Sequence, residues 1–105
     1  MPEYKYAIIF KALADDTRLR IIHVLRYGEH CACALLEEFE FSQPTLSYHM
    51  KILTDSGLVI ARKDGVWTRY TLNVSLIAHL EDYLKAIQAD PVSAPVETAV
   101  KVSSV

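Results

Sequence analysis

The chain's two thiols, Cys31 and Cys33, are separated by one alanine in the run His30-Cys31-Ala32-Cys33. They sit where a short helix, Cys31 to Phe39, is expected to begin. A helix N-terminus lowers a thiol's pKa and favours the thiolate, the form that binds soft ions. Residues two apart on an intact helix point about 200° from each other. Both sulfurs are therefore expected to reach one ion only if the first turn is distorted, which would couple ion binding to the shape of the helix. Core packing is the competing role for a Cys pair. A disulfide across one residue is expected to be strained.

A second group of residues has the chemistry of nucleic-acid recognition. Ser42 is a good N-cap, Pro44 is tolerated in a first turn, and Leu46, Met50 and Leu53 recur at helical spacing. The opposite face carries Pro44, Ser47, Tyr48 and Lys51, with Gln43 and Thr45 at the entry. That face is small, hydrogen-bonding and cationic, and Gln and Ser are side chains that pair with base edges. A β-hairpin is expected next: Leu58 to Lys63, a turn at Asp64-Gly65, and Val66 to Leu72. Arg62, Lys63 and Arg69 cluster near its tip, within reach of phosphates. In the return strand, Val66, Thr68, Tyr70 and Leu72 are expected on one face, with Trp67, Arg69 and Thr71 on the other. A capped helix feeding a basic hairpin is the layout of a winged helix-turn-helix.

Three further helices must position these groups. Tyr4 to Leu13 carries apolar Tyr6, Ile9, Phe10 and Leu13. Asp15 or Asp16 caps a second helix running to about Tyr27, with Leu19, Ile22 and Val24 expected inside. Phe41 is expected to plug the core ahead of Ser42. Asn73 caps a last helix to about Ala89, striped by Leu76, Leu80, Tyr83, Leu84 and Ile87. The expected order is α-α-α-α-β-β-α, mainly α with a β-hairpin wing. The first and last helices are too apolar for a lone small domain and are expected to pair two copies as a homodimer. Residues 1–90 form the expected DNA-binding and dimerisation domain, and residues 91–105, with two prolines and no stripe, the expected flexible tail.

At 105 residues the chain fits one domain. Its net charge of -2 argues against nucleic acid, but the distribution argues for it. Between Ser42 and Tyr70, four Lys and Arg stand against two Asp, whereas Glu29, Glu37, Glu38 and Glu40 make the preceding segment acidic. Residues 1–11 lack the apolar run of a signal peptide, and no stretch has the roughly 18 apolar residues of a membrane span. A cytoplasmic location, where thiols stay reduced, is expected. No Ser-His-Asp set, paired catalytic carboxylates, phosphate loop or Cys-x-x-Cys is evident, so an enzyme is not expected.

The stretch from Leu13 to Tyr70 resembles the ArsR/SmtB family of bacterial metal-sensing repressors. The matching pieces are LADDTRLRII, GEHCACALLEEFEFSQPTLSYHMKILTDSGLV and RKDGVWTRY. The Cys-x-Cys is similar to that of the arsenic-responsive branch. The resemblance implies a homodimeric repressor on double-stranded operator DNA, released when trivalent arsenic or antimony binds Cys31 and Cys33. It implies no organic cofactor, no membrane and no protein partner beyond a second copy. Some members carry a third Cys where Leu36 stands here, so a third donor must come from elsewhere. Of the family's last-helix zinc site, only His79 with Glu81 or Asp82 approximates a remnant. His23 and His49 are expected to pack or cap, and His30 to be an exposed polar residue. A redox-sensing repressor using the same two thiols is the alternative.

Overall fold

The computed structural model describes residues 1–88. The expected tail, and the last two residues of the expected domain, lie outside the described residues. Eight elements follow in order: α1 (Glu3–Leu13), α2 (Asp16–Leu25), β1 (His30–Cys31), α3 (Ala32–Glu38), α4 (Gln43–Asp55), β2 (Val59–Asp64), β3 (Trp67–Leu72) and α5 (Val74–Ile87). This is the expected winged helix-turn-helix with one strand added. β1 is only two residues long, too short to leave an alternating pattern in the sequence.

Side-chain caps start four of the five helices, each satisfying a backbone N–H that lacks an intrahelical partner. Asp15 Oδ2 accepts from Arg18 N at 3.0 Å, Ser42 Oγ from Thr45 N at 3.3 Å, and Asn73 Oδ1 from Leu76 N at 3.2 Å. In α3 the capping atom is sulfur: Cys31 Sγ accepts from Ala34 N at 3.2 Å. Asn73 also donates through Nδ2 to Gly57 O at 2.9 Å, tying the start of α5 to the end of α4. Gly57 ends α4 at φ +86°, a region L side chains avoid.

The core gathers Ile9 and Ala12 of α1, Ile21 and Leu25 of α2, and Leu35 of α3. Leu46, Met50 and Leu53 of α4 join them as expected, with Leu58 and Val59 at the root of the wing. Of the stripe expected on α2, Ile22 and Val24 are partly buried against the core, but the helix's innermost face lies elsewhere. Arg18, Ile21 and Leu25 are buried, while Leu19 is 49% exposed. A buried arginine at i and apolar residues at i+3 and i+7 form one face; the charge at position 18 hid that face from a hydrophobicity reading. Phe39 is the more deeply buried phenylalanine, with Phe41 half-buried and stacked on it at 5.1 Å between ring centroids.

The three strands form an antiparallel sheet in the order β1-β3-β2. Asp64 pairs with Trp67 across the wing, so the two-residue turn is Gly65-Val66, one position later than expected. Gly65 holds φ +64° at the first turn position, the requirement of a type II′ hairpin turn. The last and first helices meet through a Tyr6–Tyr83 stack at 3.8 Å. Beyond it Ile8, Phe10, Leu84 and Ile87 stay exposed, so the apolar stripes of α1 and α5 run past what one chain covers.

The phase of α2 and the packing of α3 can be tested together. Leu35→Ala, at a site with no exposure, is expected to destabilise the fold by about 2–5 kcal/mol. Leu19→Ala is expected to stay within about 0.5 kcal/mol of wild type. Urea unfolding midpoints check both; equal losses at the two positions would contradict this phase.

Candidate nucleic-acid interface and thiol pair

Helix α4 presents all six predicted residues to solvent. Gln43, Pro44, Thr45, Ser47, Tyr48 and Lys51 are exposed, while Leu46, Met50 and Leu53 turn inward. The Ser42 cap fixes where the helix starts, and Pro44 occupies its first turn, where no N–H is needed. Ser42 Oγ also donates to Thr45 Oγ1 at 2.9 Å, which holds that hydroxyl at the helix entry. Lys51 Nζ reaches Asp55 Oδ2 at 3.0 Å, an exposed i,i+4 pair that is easily exchanged for another anion.

The wing's cations are not all free. Arg62 and Arg69 stand directly opposite each other in the ladder, an arrangement that repels. Each is balanced by a carboxylate: Arg62 Nη2 donates to Glu29 Oε1 at 2.8 Å, and Arg69 Nε to Asp64 Oδ2 at 2.7 Å. The hydrogen bond from Arg69, then its charge, holds the Asp64 carboxyl below its usual range, and Asp64 in turn raises Arg69. Lys63 alone of the wing's three cations has no ion-pair partner among the described residues. Arg62 and Arg69 were expected within reach of phosphates; their ion pairs are an addition from the structure. Glu29, from the acidic segment, and Asp64, at the strand end, were the carboxylates within reach, and only the folded sheet brings them there.

The cysteines are placed differently from expectation. Cys31 precedes α3 in extended conformation, φ -76° and ψ 159°, and Cys33 lies in the helix's first turn. The 200° divergence of an intact helix therefore does not apply. The two Cα atoms are 5.2 Å apart and the sulfurs are bonded to each other.

Cys31 is also a strand residue. It pairs with Arg69, and His30 pairs with Tyr70. Directly opposed residues in an antiparallel ladder share a face, so Cys31, Arg69 and Arg62 form one row across the sheet. The sequence reading connected the thiols to DNA through α3 and α4; the sheet adds a shorter connection to the wing. No sequence signal marks it, because it rests on two residues of pairing.

His30 Nδ1 lies 2.8 Å from Gly28 O, so that ring nitrogen is engaged with its own turn. Leu36 lines a cleft between α3, α4 and β3 together with Gln43, Ser47, Trp67 and Tyr70. Among the described residues no three His, Cys, Asp or Glu side chains gather as a metal site, and His79 with its neighbours does not form one. No described helix is long and apolar enough to cross a membrane.

Residues 15–61 match the arsR family of bacterial regulatory proteins. The arsenical resistance operon repressor of Staphylococcus aureus is 51% identical over 79 residues, covering 75% of this chain and 76% of that one. The crystal structure of an ArsR family transcriptional regulator superposes with a TM-score of 0.80 at 25% identity, covering 90% of this chain and 98% of that one. A homodimeric winged helix-turn-helix DNA-binding domain from Mycobacterium bovis, possibly of the same family by its description, gives 0.66 at 28% identity, covering 80% and 78%. With 51% identity over a stretch covering three quarters of such a repressor, and with the same helix-turn-helix and wing, this chain belongs to the arsR family of bacterial regulatory proteins.

Proposed function

We propose that this protein is a cytoplasmic transcriptional repressor that binds operator DNA as a homodimer and leaves it when trivalent arsenic or antimony binds the Cys31 and Cys33 thiolates. The observation that carries the reading is the pairing of Cys31 with Arg69, which joins the thiol segment to the wing by backbone hydrogen bonds. The S. aureus relative, an arsenical resistance operon repressor, supports the ligand class. The homodimeric M. bovis neighbour and the uncovered apolar residues of α1 and α5 support the assembly. Two α4 helices related by a two-fold axis would enter major grooves about 34 Å apart.

In this reading α4 reads base edges with Gln43, Thr45, Ser47 and Tyr48, while Pro44 lets the helix end approach closely. Lys51, Arg62, Lys63 and Arg69 meet phosphates. DNA phosphates displace Asp55, Glu29 and Asp64 from their exposed cation partners, a nearly even exchange since such pairs are weak. Nonspecific binding is correspondingly modest and falls steeply with salt.

The reduced thiols are a soft, two-sulfur donor set of the kind trivalent arsenic and antimony prefer. Their sulfurs already converge, so no turn of α3 has to unwind to bring them together. One ion held by both reduced sulfurs fixes their separation and orientation. That constraint falls on α3 and β1 together, and β1 passes it to its pairing partner Arg69. A coupling of about 1–3 kcal/mol changes DNA affinity by about 5- to 150-fold. The third position on the ion falls to water, a small thiol or the second subunit, since Leu36 offers no donor.

A second reading is favoured by one observation, the bond between the two sulfurs. Two-electron oxidation of the dithiol releases two protons and removes both thiolates, so oxidation and ion binding exclude each other. The protein then responds to oxidants through the same residues. Free-thiol counts after mild peroxide, read alongside DNA binding, separate a redox switch from a metalloid switch.

Three outcomes are expected with a duplex selected from a random pool by the reduced wild-type protein. Ser47→Ala with Tyr48→Ala lowers affinity for that duplex by about tenfold or more, at unchanged unfolding midpoint. Wild-type affinity in this pair removes α4 as the reader. Lys63→Ala weakens binding to all duplexes alike and lowers the salt slope by about 1.8, about 0.9 for each subunit of the dimer. Cys31→Ser with Cys33→Ser leaves binding intact and abolishes release by arsenite and antimonite. Release of the double variant by arsenite sinks the thiolate assignment.

A further inference from the structure

The buried Arg18 has no part in the sites described so far, yet it touches the helix that carries the DNA-reading face. Its side chain spans two other elements. Nε donates to Ala12 O at 2.7 Å and Nη2 to Lys11 O at 3.3 Å, closing the last turn of α1. Nη1 lies 3.2 Å from His49 Nδ1, on α4. A guanidinium is always cationic and has no acceptor. The contact is therefore a hydrogen bond only when His49 Nδ1 carries no proton and accepts.

His49 is placed to make this matter. Its side chain is 12% exposed, and it follows Tyr48 on the outward face. The groups facing its ring are few. Asp15 and Arg18 approach from the N-terminus of α2, with Asp15 Oδ2 4.0 Å from Nδ1. Phe41 approaches from the loop before α4, and Tyr48 from α4 itself. The Asp15 carboxyl is held below its usual range, chiefly by the backbone N–H of Arg18, and stays charged. A proton on Nδ1 turns the Arg18 contact into repulsion between two cations and leaves Asp15 as the only favourable partner. Protonation thus exchanges a bond to the residue that clamps α1 for one to the cap of α2.

We infer that the Arg18–His49 hydrogen bond seats the recognition helix α4 against α1, making His49 a positioning residue that holds the DNA-reading face only while its imidazole is neutral. The inference rests on α4 reading DNA as proposed above. It assigns His49 no contact with DNA. The sign follows from the acceptor role: a proton on Nδ1 removes the bond, so affinity falls on acidification.

The test measures affinity for the selected duplex from pH 5.5 to 8 with wild type, His49→Gln and His49→Leu. Unfolding midpoints are recorded at each pH without DNA. Gln keeps an acceptor that does not titrate; Leu keeps bulk and removes it. Wild type is expected to lose about tenfold or more in affinity toward pH 5.5, the scale of a lost hydrogen bond to a charged group. His49→Gln is expected to bind near the wild-type level at pH 7.5 with a flatter profile than wild type. His49→Leu is expected to bind about tenfold more weakly at pH 7.5 and also to be flatter. If His49→Gln shows the full wild-type acid loss, the titrating group lies elsewhere and the inference is wrong. If His49→Leu binds like wild type at pH 7.5, the bond does not seat α4. Failure of wild type to bind any selected duplex at pH 7.5 overturns the DNA reading itself; the midpoints without DNA still show whether His49 carries an acid-dependent part of the fold.

Discussion

Two residues of backbone pairing govern how the parts of this domain communicate. His30 stands opposite Tyr70 and Cys31 opposite Arg69, and that short antiparallel ladder makes the hairpin a three-stranded sheet. Without it the wing is an isolated two-stranded ribbon, which is marginal by itself in water. With it the wing is anchored at both edges of its root, to the chain ahead of α3 on one side and to the Leu58–Val59 core residues on the other. Cys31 is at once a strand residue and the side-chain cap of α3. A change in its covalent state therefore reaches the helix through Ala34 N and the sheet through Arg69.

Electrostatics in this domain work by balance more than by excess. A chain of net charge -2 presents cations at the wing and α4 because its acidic residues are placed to hold them. Glu29 and Asp64 allow two arginines to sit opposite each other in one ladder, and Asp55 steadies Lys51. These pairs keep the side chains extended toward solvent without adding much stability. They also limit attraction to arbitrary DNA.

Much of this was legible in the sequence, for identifiable reasons. Ser42, Asn73 and Gly57 mark helix ends by local chemistry, and Leu46, Met50 and Leu53 fix the phase of α4 without ambiguity. The exposed face of α4 followed at once. Features depending on distant partners were not legible. β1 exists only because β3 lies beside it, and the Arg62 and Arg69 pairs depend on where Glu29 and Asp64 land. The phase of α2 was misread because one of its three buried residues is an arginine, whose burial is offset by three hydrogen bonds, two to carbonyls of α1 and one to His49. The Cys31–Cys33 geometry was misjudged by assuming a helix one residue too long at its start.

The cleft between α3, α4 and the wing has one more consequence. Its lining includes Trp67, the single tryptophan of the chain, at the first position of β3 and 46% exposed. An indole half in water and half against protein emits light according to how much water reaches it. The other walls of the cleft include Ala32 and Leu36 from α3 and Gln43 and Ser47 from α4. The domain thus carries an optical gauge at the junction of its three working parts, with no other indole to obscure the signal.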